Sequence, residues 1–104
     1  PNIIGFDILK NYATAFLSCP DYIAAKGMRI SAAPIKGDKQ VISGESGAVP
    51  LGSLFTILKD ENYAELRKEL KLDKDSKILI FNTEGNTDPV KYIDVVWDGE
   101  YPSK

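Results

Sequence analysis

Residues 46–58 are the segment that most constrains the fold of this chain. Their apolar side chains recur on almost every side of a predicted helix, and a helix that is apolar all round is normally buried. Pro50 is compatible with this helix only if it lies within the first turn. A chain of 104 residues can build one modest core. We therefore expect an uncovered apolar patch, and with it a homodimer or other self-association.

Helical and extended segments alternate around this helix. Helices are predicted over residues 6–16, 20–33, 62–72 and 90–97, and strands over residues 41–42 and 77–82. Residues 15–18 fit a short strand equally well, Asn62 with Glu65 resembles a capping box, and Asp88 followed by Pro89 is predicted to cap the helix over residues 90–97. The apolar run in the second strand is typical of a parallel strand covered on both faces. The predicted fold class is α/β, with residues 1–104 as a single unit containing part of an open, mainly parallel sheet with flanking helices.

Charge and composition exclude several classes of function. Thirteen basic and fifteen acidic residues give a net charge of −2, without the basic stripe that nucleic acids require. Residues 48–58, the longest uncharged apolar stretch, are too short to span a bilayer, and nothing at the start resembles a signal peptide. There is no histidine and a single cysteine, Cys19. We therefore expect no His-based catalytic triad, no metal site, no nucleic-acid or membrane partner, and a reducing cytoplasm as the location.

Two loops rich in glycine and hydroxyl groups form the candidate binding site. The 43–48 loop reads Ser-Gly-Glu-Ser-Gly-Ala, and the 82–89 loop reads Asn-Thr-Glu-Gly-Asn-Thr-Asp-Pro. Each follows a predicted strand and precedes a predicted helix, the position at which open α/β sheets bind ligands. The residues alone leave two alternatives open, a ligand site or ordinary turns that need glycine and a cap. All lysines are expected to lie outside a cofactor pocket.

Three long motifs occur in a recognisable order. The first motif, residues 19–29, reads Cys-Pro-Asp-Tyr-Ile-Ala-Ala-Lys-Gly-Met-Arg. The second is the 43–48 loop together with Ile42, which precedes it, and the third is the 82–89 loop. Together with residues 96–102, Val-Trp-Asp-Gly-Glu-Tyr-Pro, they closely resemble the diaminopropionate ammonia-lyases over essentially the whole chain. That family belongs to the pyridoxal-phosphate enzymes of the tryptophan-synthase β-subunit type, also called fold type II. Its members convert 2,3-diaminopropionate to pyruvate and ammonia by α,β-elimination.

The resemblance implies that the chain is the C-terminal portion of a longer catalytic chain. The lysine that binds pyridoxal phosphate, the phosphate-binding loop and the acid/base aspartates would all lie upstream. No catalytic residue is then expected within this chain, which by itself would be inactive. The implied substrate is a small amino acid. Two alternatives stay open: a portion of a related threonine/serine dehydratase-type enzyme, and a non-catalytic small α/β binding module.

The same resemblance assigns four residues to the cofactor site. Thr83 resembles the hydroxyl residue that contacts the pyridine nitrogen of the cofactor. Glu45 matches an acidic position near the ring, and Ser46 and Gly47 would line the pocket beside it. A neutral hydroxyl at Thr83 would not hold the pyridine nitrogen protonated as a carboxylate would.

Overall fold

A computed structural model describes residues 2–103 of the chain. Its five α-helices are α1 (Ile3–Tyr12), α2 (Asp21–Ala32), α3 (Glu45–Lys59), α4 (Ala64–Glu69) and α5 (Pro89–Val96), and a 3₁₀ turn (Glu61–Tyr63) precedes α4. The helices α2 and α3 pack against each other at the centre, and α5 packs against α2. No helix within the described residues is long and apolar enough to cross a membrane.

The predicted α/β fold is wrong, because residues 2–103 contain no β-strand. Residues 41–44 and 76–85, where both strands were expected, have no regular secondary structure. Among the described residues, the backbone hydrogen bond that joins these segments runs from Gly44 N–H to the Glu84 carbonyl oxygen (3.0 Å). A sheet needs a ladder of such bonds. The apolar run therefore has strand composition without a paired neighbour, and Leu79 and Phe81 are exposed.

Two glycines bring α2 and α3 into backbone contact. A methyl group on Gly27 would overlap the carbonyl oxygen of Ala48, and one on Gly52 would overlap the carbonyl oxygen of Ile23. Neither position can therefore hold a side chain unless the helices separate. The residues of the central apolar cluster are Ala25, Met28, Ala48 and Val95. The helix predicted over residues 46–58 is confirmed, and one of its faces is buried against α2.

Two details of the helix ends differ from the expectations. Pro50 is the sixth residue of α3 and thus lies beyond the first turn. Its missing N–H leaves the carbonyl of Ser46 without its helical partner, and the exposure of Ser46 lets water replace that partner. The prediction that Asn62 and Glu65 form a capping box is also wrong. The side chain of Asp60 instead caps the 3₁₀ turn by accepting from Asn62 N–H (2.9 Å).

Helix α1 contributes no buried residue to the core. It is rich in apolar residues, yet Ile3 and Tyr12 are 80% and 81% exposed. Helix α1 thus forms a large uncovered apolar surface. Helices of this composition are normally enclosed by other protein. The uncovered patch that the structure shows is thus on α1, whereas the sequence places it on the helix over residues 46–58; self-association stays a prediction.

The residues after α5 are fastened to α2 by one arginine. Arg29 Nε donates to the carbonyl oxygen of Val95 (3.2 Å), Nη1 donates to that of Tyr101 (3.3 Å), and Nη2 donates to that of Glu100. Three carbonyls at and beyond the end of α5 thus share one guanidinium, which suits a cation at a helix C-terminus. This contact fixes both α5 and the tail against α2.

Replacing Gly52 by alanine is expected to lower the free energy of unfolding by about 1–3 kcal/mol. The Ile23 carbonyl belongs to the backbone of α2 and cannot move aside without parting the helices. Gly85→Ala is the matched control, because no atom lies within 4 Å of its added Cβ. Urea titrations followed by circular dichroism measure the effect. Equal midpoints for the two variants would contradict the backbone contact.

Candidate cofactor site

The two loops chosen from the sequence meet around one cavity of about 330 Å³. The first turn of α3 and the residues just before it form one wall, and residues 84–88 form the other. The helices α2 and α5 complete it. The lining residues are Met28, Gly44, Glu45, Ser46, Glu84, Gly85, Asn86, Thr87, Asp88, Lys91 and Tyr92. The side chain of Asp88 caps α5 by accepting from Lys91 N–H (3.0 Å), as the sequence predicts. This cap fixes the end of the 82–89 loop at the start of α5.

Glu45 carries the polar atom that most clearly points to a ligand. Its Oε1 is buried and has no hydrogen-bond partner within the described residues, although a buried carboxylate oxygen without a donor is costly. Glu45 and Ser46 both line the cavity. A bound group with a hydrogen-bond donor would satisfy Oε1, so the first turn of α3 fits a polar ligand.

Thr83 and Gly47 lie beside the cavity and do not line it. Thr83 is exposed at the start of the 82–89 loop, and its hydroxyl makes no hydrogen bond to the part of the chain that the structure describes. Gly47 is buried against Asn82. A Cβ on Gly47 would overlap Asn82 Oδ1 and would lie 2.7 Å from Ser43 Oγ. Its small size therefore lets the two loops approach each other.

Lys91 is the charged one of three lining residues that lie outside the two predicted loops, the others being Met28 and Tyr92. It lines the cavity from the first turn of α5, whereas the expectation that all lysines lie outside a cofactor pocket stays a prediction. Its Nζ lies 2.8 Å from Glu100 Oε1 and 4.8 Å from the centre of the Tyr101 ring. The predicted cap at Asp88 is the sequence signal that could have indicated Lys91, because the third residue after a cap lies beside the loop that precedes the helix.

The ion pair of Lys91 and Glu100 keeps both groups charged. The hydrogen bond to Glu100 raises the pKa of Lys91 above its ordinary value, and the same hydrogen bond lowers the pKa of Glu100. A protonated ammonium has no lone pair and cannot act as a nucleophile. Lys91 therefore gives the cavity wall a fixed positive charge.

The cavity combines one cation with several carboxylates and hydroxyl groups. Glu84 and Asp88 line it together with Glu45, but no group of three or more His, Cys, Asp or Glu residues between residues 2 and 103 could hold a metal ion. Its groups can donate and accept hydrogen bonds and balance charge. The arrangement thus suits the binding and orientation of a polar organic molecule.

Glu100→Gln is expected to destabilise the chain at neutral pH and to have less effect in acid. Because folding lowers the pKa of Glu100, the stabilisation is present above the ordinary carboxyl pKa and is lost as the pH falls through the folded value. Thermal unfolding of parent and variant between pH 7 and pH 2, at low and high salt, measures this. The difference should shrink in acid and in salt, since the pair is partly exposed. A constant difference across the pH range would contradict the ion pair.

No family model matches the chain. In sequence, the chain is similar to one class of enzyme, the ammonia-lyases. The particular relatives are diaminopropionate ammonia-lyases. The protein from Escherichia coli strain K12 is 46% identical over 101 residues, which cover 97% of this chain and 25% of that protein. The protein from Salmonella typhimurium strain LT2 is 46% identical over 100 residues, which cover 95% of this chain and 25% of that protein.

Solved structures show the same similarity. The Escherichia coli enzyme in complex with D-serine matches with a TM-score of 0.91 and 45% identity over 98% of this chain and 26% of that chain. The same enzyme in complex with an aminoacrylate-PLP azomethine reaction intermediate matches with a TM-score of 0.91 over 98% of this chain and 27% of that chain. The resemblance inferred from the motifs is confirmed. The chain spans about a quarter of the length of these relatives.

Proposed function

We propose that this chain is the C-terminal portion of a pyridoxal-phosphate-dependent diaminopropionate ammonia-lyase. The longer enzyme converts 2,3-diaminopropionate to pyruvate and ammonia by α,β-elimination. The observation that carries the proposal is the 46% identity over 97% of this chain. Because the chain spans a quarter of its relatives, the activity is assigned to the whole enzyme. This portion supplies part of the wall of the cofactor site.

The residues around the cavity fit pyridoxal phosphate. Pyridoxal phosphate, when bound, supplies an electron sink for the carbon that loses a proton. Glu45 offers a buried oxygen that lacks a donor, which an amino group of the substrate would supply, and the hydroxyl of Thr83 is free to bond the pyridine nitrogen. Ser46 adds a hydroxyl to the wall. Gly47 acts from behind this wall by leaving room for Asn82.

The chemistry of Thr83 suits an elimination. A neutral hydroxyl can hydrogen-bond the pyridine nitrogen but cannot hold a proton on it as a carboxylate would. A less strongly charged ring withdraws electrons less, which favours reactions that discharge the carbanion at once by losing a β-substituent. The 2,3-diaminopropionate substrate carries such a substituent in its β-amino group.

Location and assembly form part of the same proposal. A small amino-acid substrate and the lone cysteine support a cytoplasmic enzyme, and the uncovered apolar surface of α1 supports burial within a larger assembly such as a homodimer. Neither the dehydratase-type enzyme nor the non-catalytic module gains support from the relatives described above, which are all diaminopropionate ammonia-lyases.

The isolated chain is expected to show no lyase activity and no covalent adduct with pyridoxal phosphate. The lysine that lines the cavity, Lys91, is held protonated by Glu100. Mixing the chain with the cofactor, recording the absorbance spectrum and trapping with borohydride measure this. Stoichiometric trapping at one lysine, together with turnover of 2,3-diaminopropionate, would overturn the assignment of the activity to the longer protein.

In the complete enzyme, Thr83→Ala is expected to lower kcat/KM about fivefold, which corresponds to the contribution of one neutral hydrogen bond. Thr83→Asp is expected to favour a protonated ring and to raise side reactions such as transamination. Thr14→Ala, which removes an exposed hydroxyl in an irregular segment, is the control. Steady-state rates and product ratios measure both effects. Parent-like rates and products in both Thr83 variants would refute the contact with the pyridine nitrogen.

A further inference from the structure

The side chain of Asn82 joins the two loops beside the cavity. Its Oδ1 accepts from Ser43 Oγ (3.0 Å) and from Glu84 N–H (3.3 Å), while its Nδ2 donates to the Ile42 carbonyl oxygen (3.4 Å). The orientation of the amide follows from its partners, because a backbone N–H can only donate and a carbonyl can only accept. One side chain thus uses both ends of its amide to connect segments about 40 residues apart.

The surroundings of Asn82 are shaped to hold it. Ser43 is 2% exposed, and its hydroxyl also lies 3.0 Å from the Gly44 carbonyl oxygen. On the other side, Gly47 leaves the space that Asn82 Oδ1 occupies. The amide oxygen therefore lies between a buried hydroxyl and the start of α3, while much of the Asn82 side chain is exposed.

Thr83 is fixed by its neighbours rather than by its own side chain. Asn82 precedes it and is tied to Ile42 and Ser43, and Glu84 follows it and accepts from Gly44 N–H (3.0 Å). The backbone is anchored on both sides, whereas the hydroxyl of Thr83 has no partner among the described residues. A fixed backbone with a free hydroxyl is the arrangement that presents a side chain to a ligand.

We propose that Asn82 is a positioning residue that holds Thr83, through the links to Ser43 and Ile42, at the angle required to bond the pyridine nitrogen of the cofactor. This inference rests on the proposed function. Asn82 itself does not line the cavity, and its effect on the cofactor passes through Thr83.

A double-mutant cycle in the complete enzyme tests the inference. Apoenzyme of the parent, Asn82→Ala, Thr83→Ala and the double variant is titrated with pyridoxal phosphate, and the absorbance spectrum gives the dissociation constant and the band position. Asn82→Ala is expected to weaken binding about fivefold, the effect of losing one neutral hydrogen bond, and to shift the band as Thr83→Ala does. In the Thr83→Ala background, removing Asn82 should change neither quantity, because the two residues act as a unit.

Two further variants guard against a change that is only structural. Ser43→Ala removes one link while leaving Asn82 in place, and it is expected to give a smaller effect of the same kind. Asn62→Ala is the matched control, since this exposed asparagine bonds through its backbone N–H. Melting temperatures are measured for every variant, and if Asn82→Ala fails to fold, Ser43→Ala takes its place in the cycle.

The outcomes separate the inference from the proposed function. If Thr83→Ala changes cofactor binding but Asn82→Ala and Ser43→Ala do not, the positioning role is refuted while the role of Thr83 stands. Additive effects in the cycle also refute it, because they mean that Asn82 acts without Thr83. If Thr83→Ala changes neither the dissociation constant nor the spectrum, the contact with the pyridine nitrogen and the positioning role both fail.

Discussion

The backbone contact between α2 and α3 is the constraint on which the rest of the structure depends. Gly27 and Gly52 each lie so close to a carbonyl of the opposite helix that no Cβ fits between them. This contact fixes the first turn of α3 beside α2, so Glu45 and Met28 share one cavity. Separating the helices by one methyl group would move one wall of the cavity relative to another.

The second wall depends on how α5 and the tail are held. Arg29 of α2 binds three carbonyls at and beyond the end of α5, and Glu100 of the tail binds Lys91 of α5. These contacts orient Lys91 towards the cavity and keep it charged. The same ion pair thus joins the tail to α5 and raises the pKa of the cavity lysine, which favours its protonated form.

The apolar surface fits a chain that spans a quarter of its relatives. No residue of α1 is buried, and the apolar side chains of residues 78–81 remain largely uncovered. Burying such surfaces is strongly favourable in water, so the proposed longer enzyme gives them a physical role. The core around Met28 and Val95, which are 1% and 0% exposed, is by contrast complete within this chain.

The sequence by itself determined the helices α2, α3 and α5, the cap at Asp88 and the two loops of the site, because periodicity, caps and glycines act over a few residues. Its motifs also identified the related enzymes. Only the tertiary structure decided that the apolar run of residues 77–82 lacks a paired strand, that Lys91 lines the cavity, and that Gly47 makes room for Asn82. Each of these depends on partners distant in sequence, such as Ser43 and Asn82, which are 39 residues apart. Local sequence patterns do not predict such contacts, since serine and asparagine are equally common in ordinary turns.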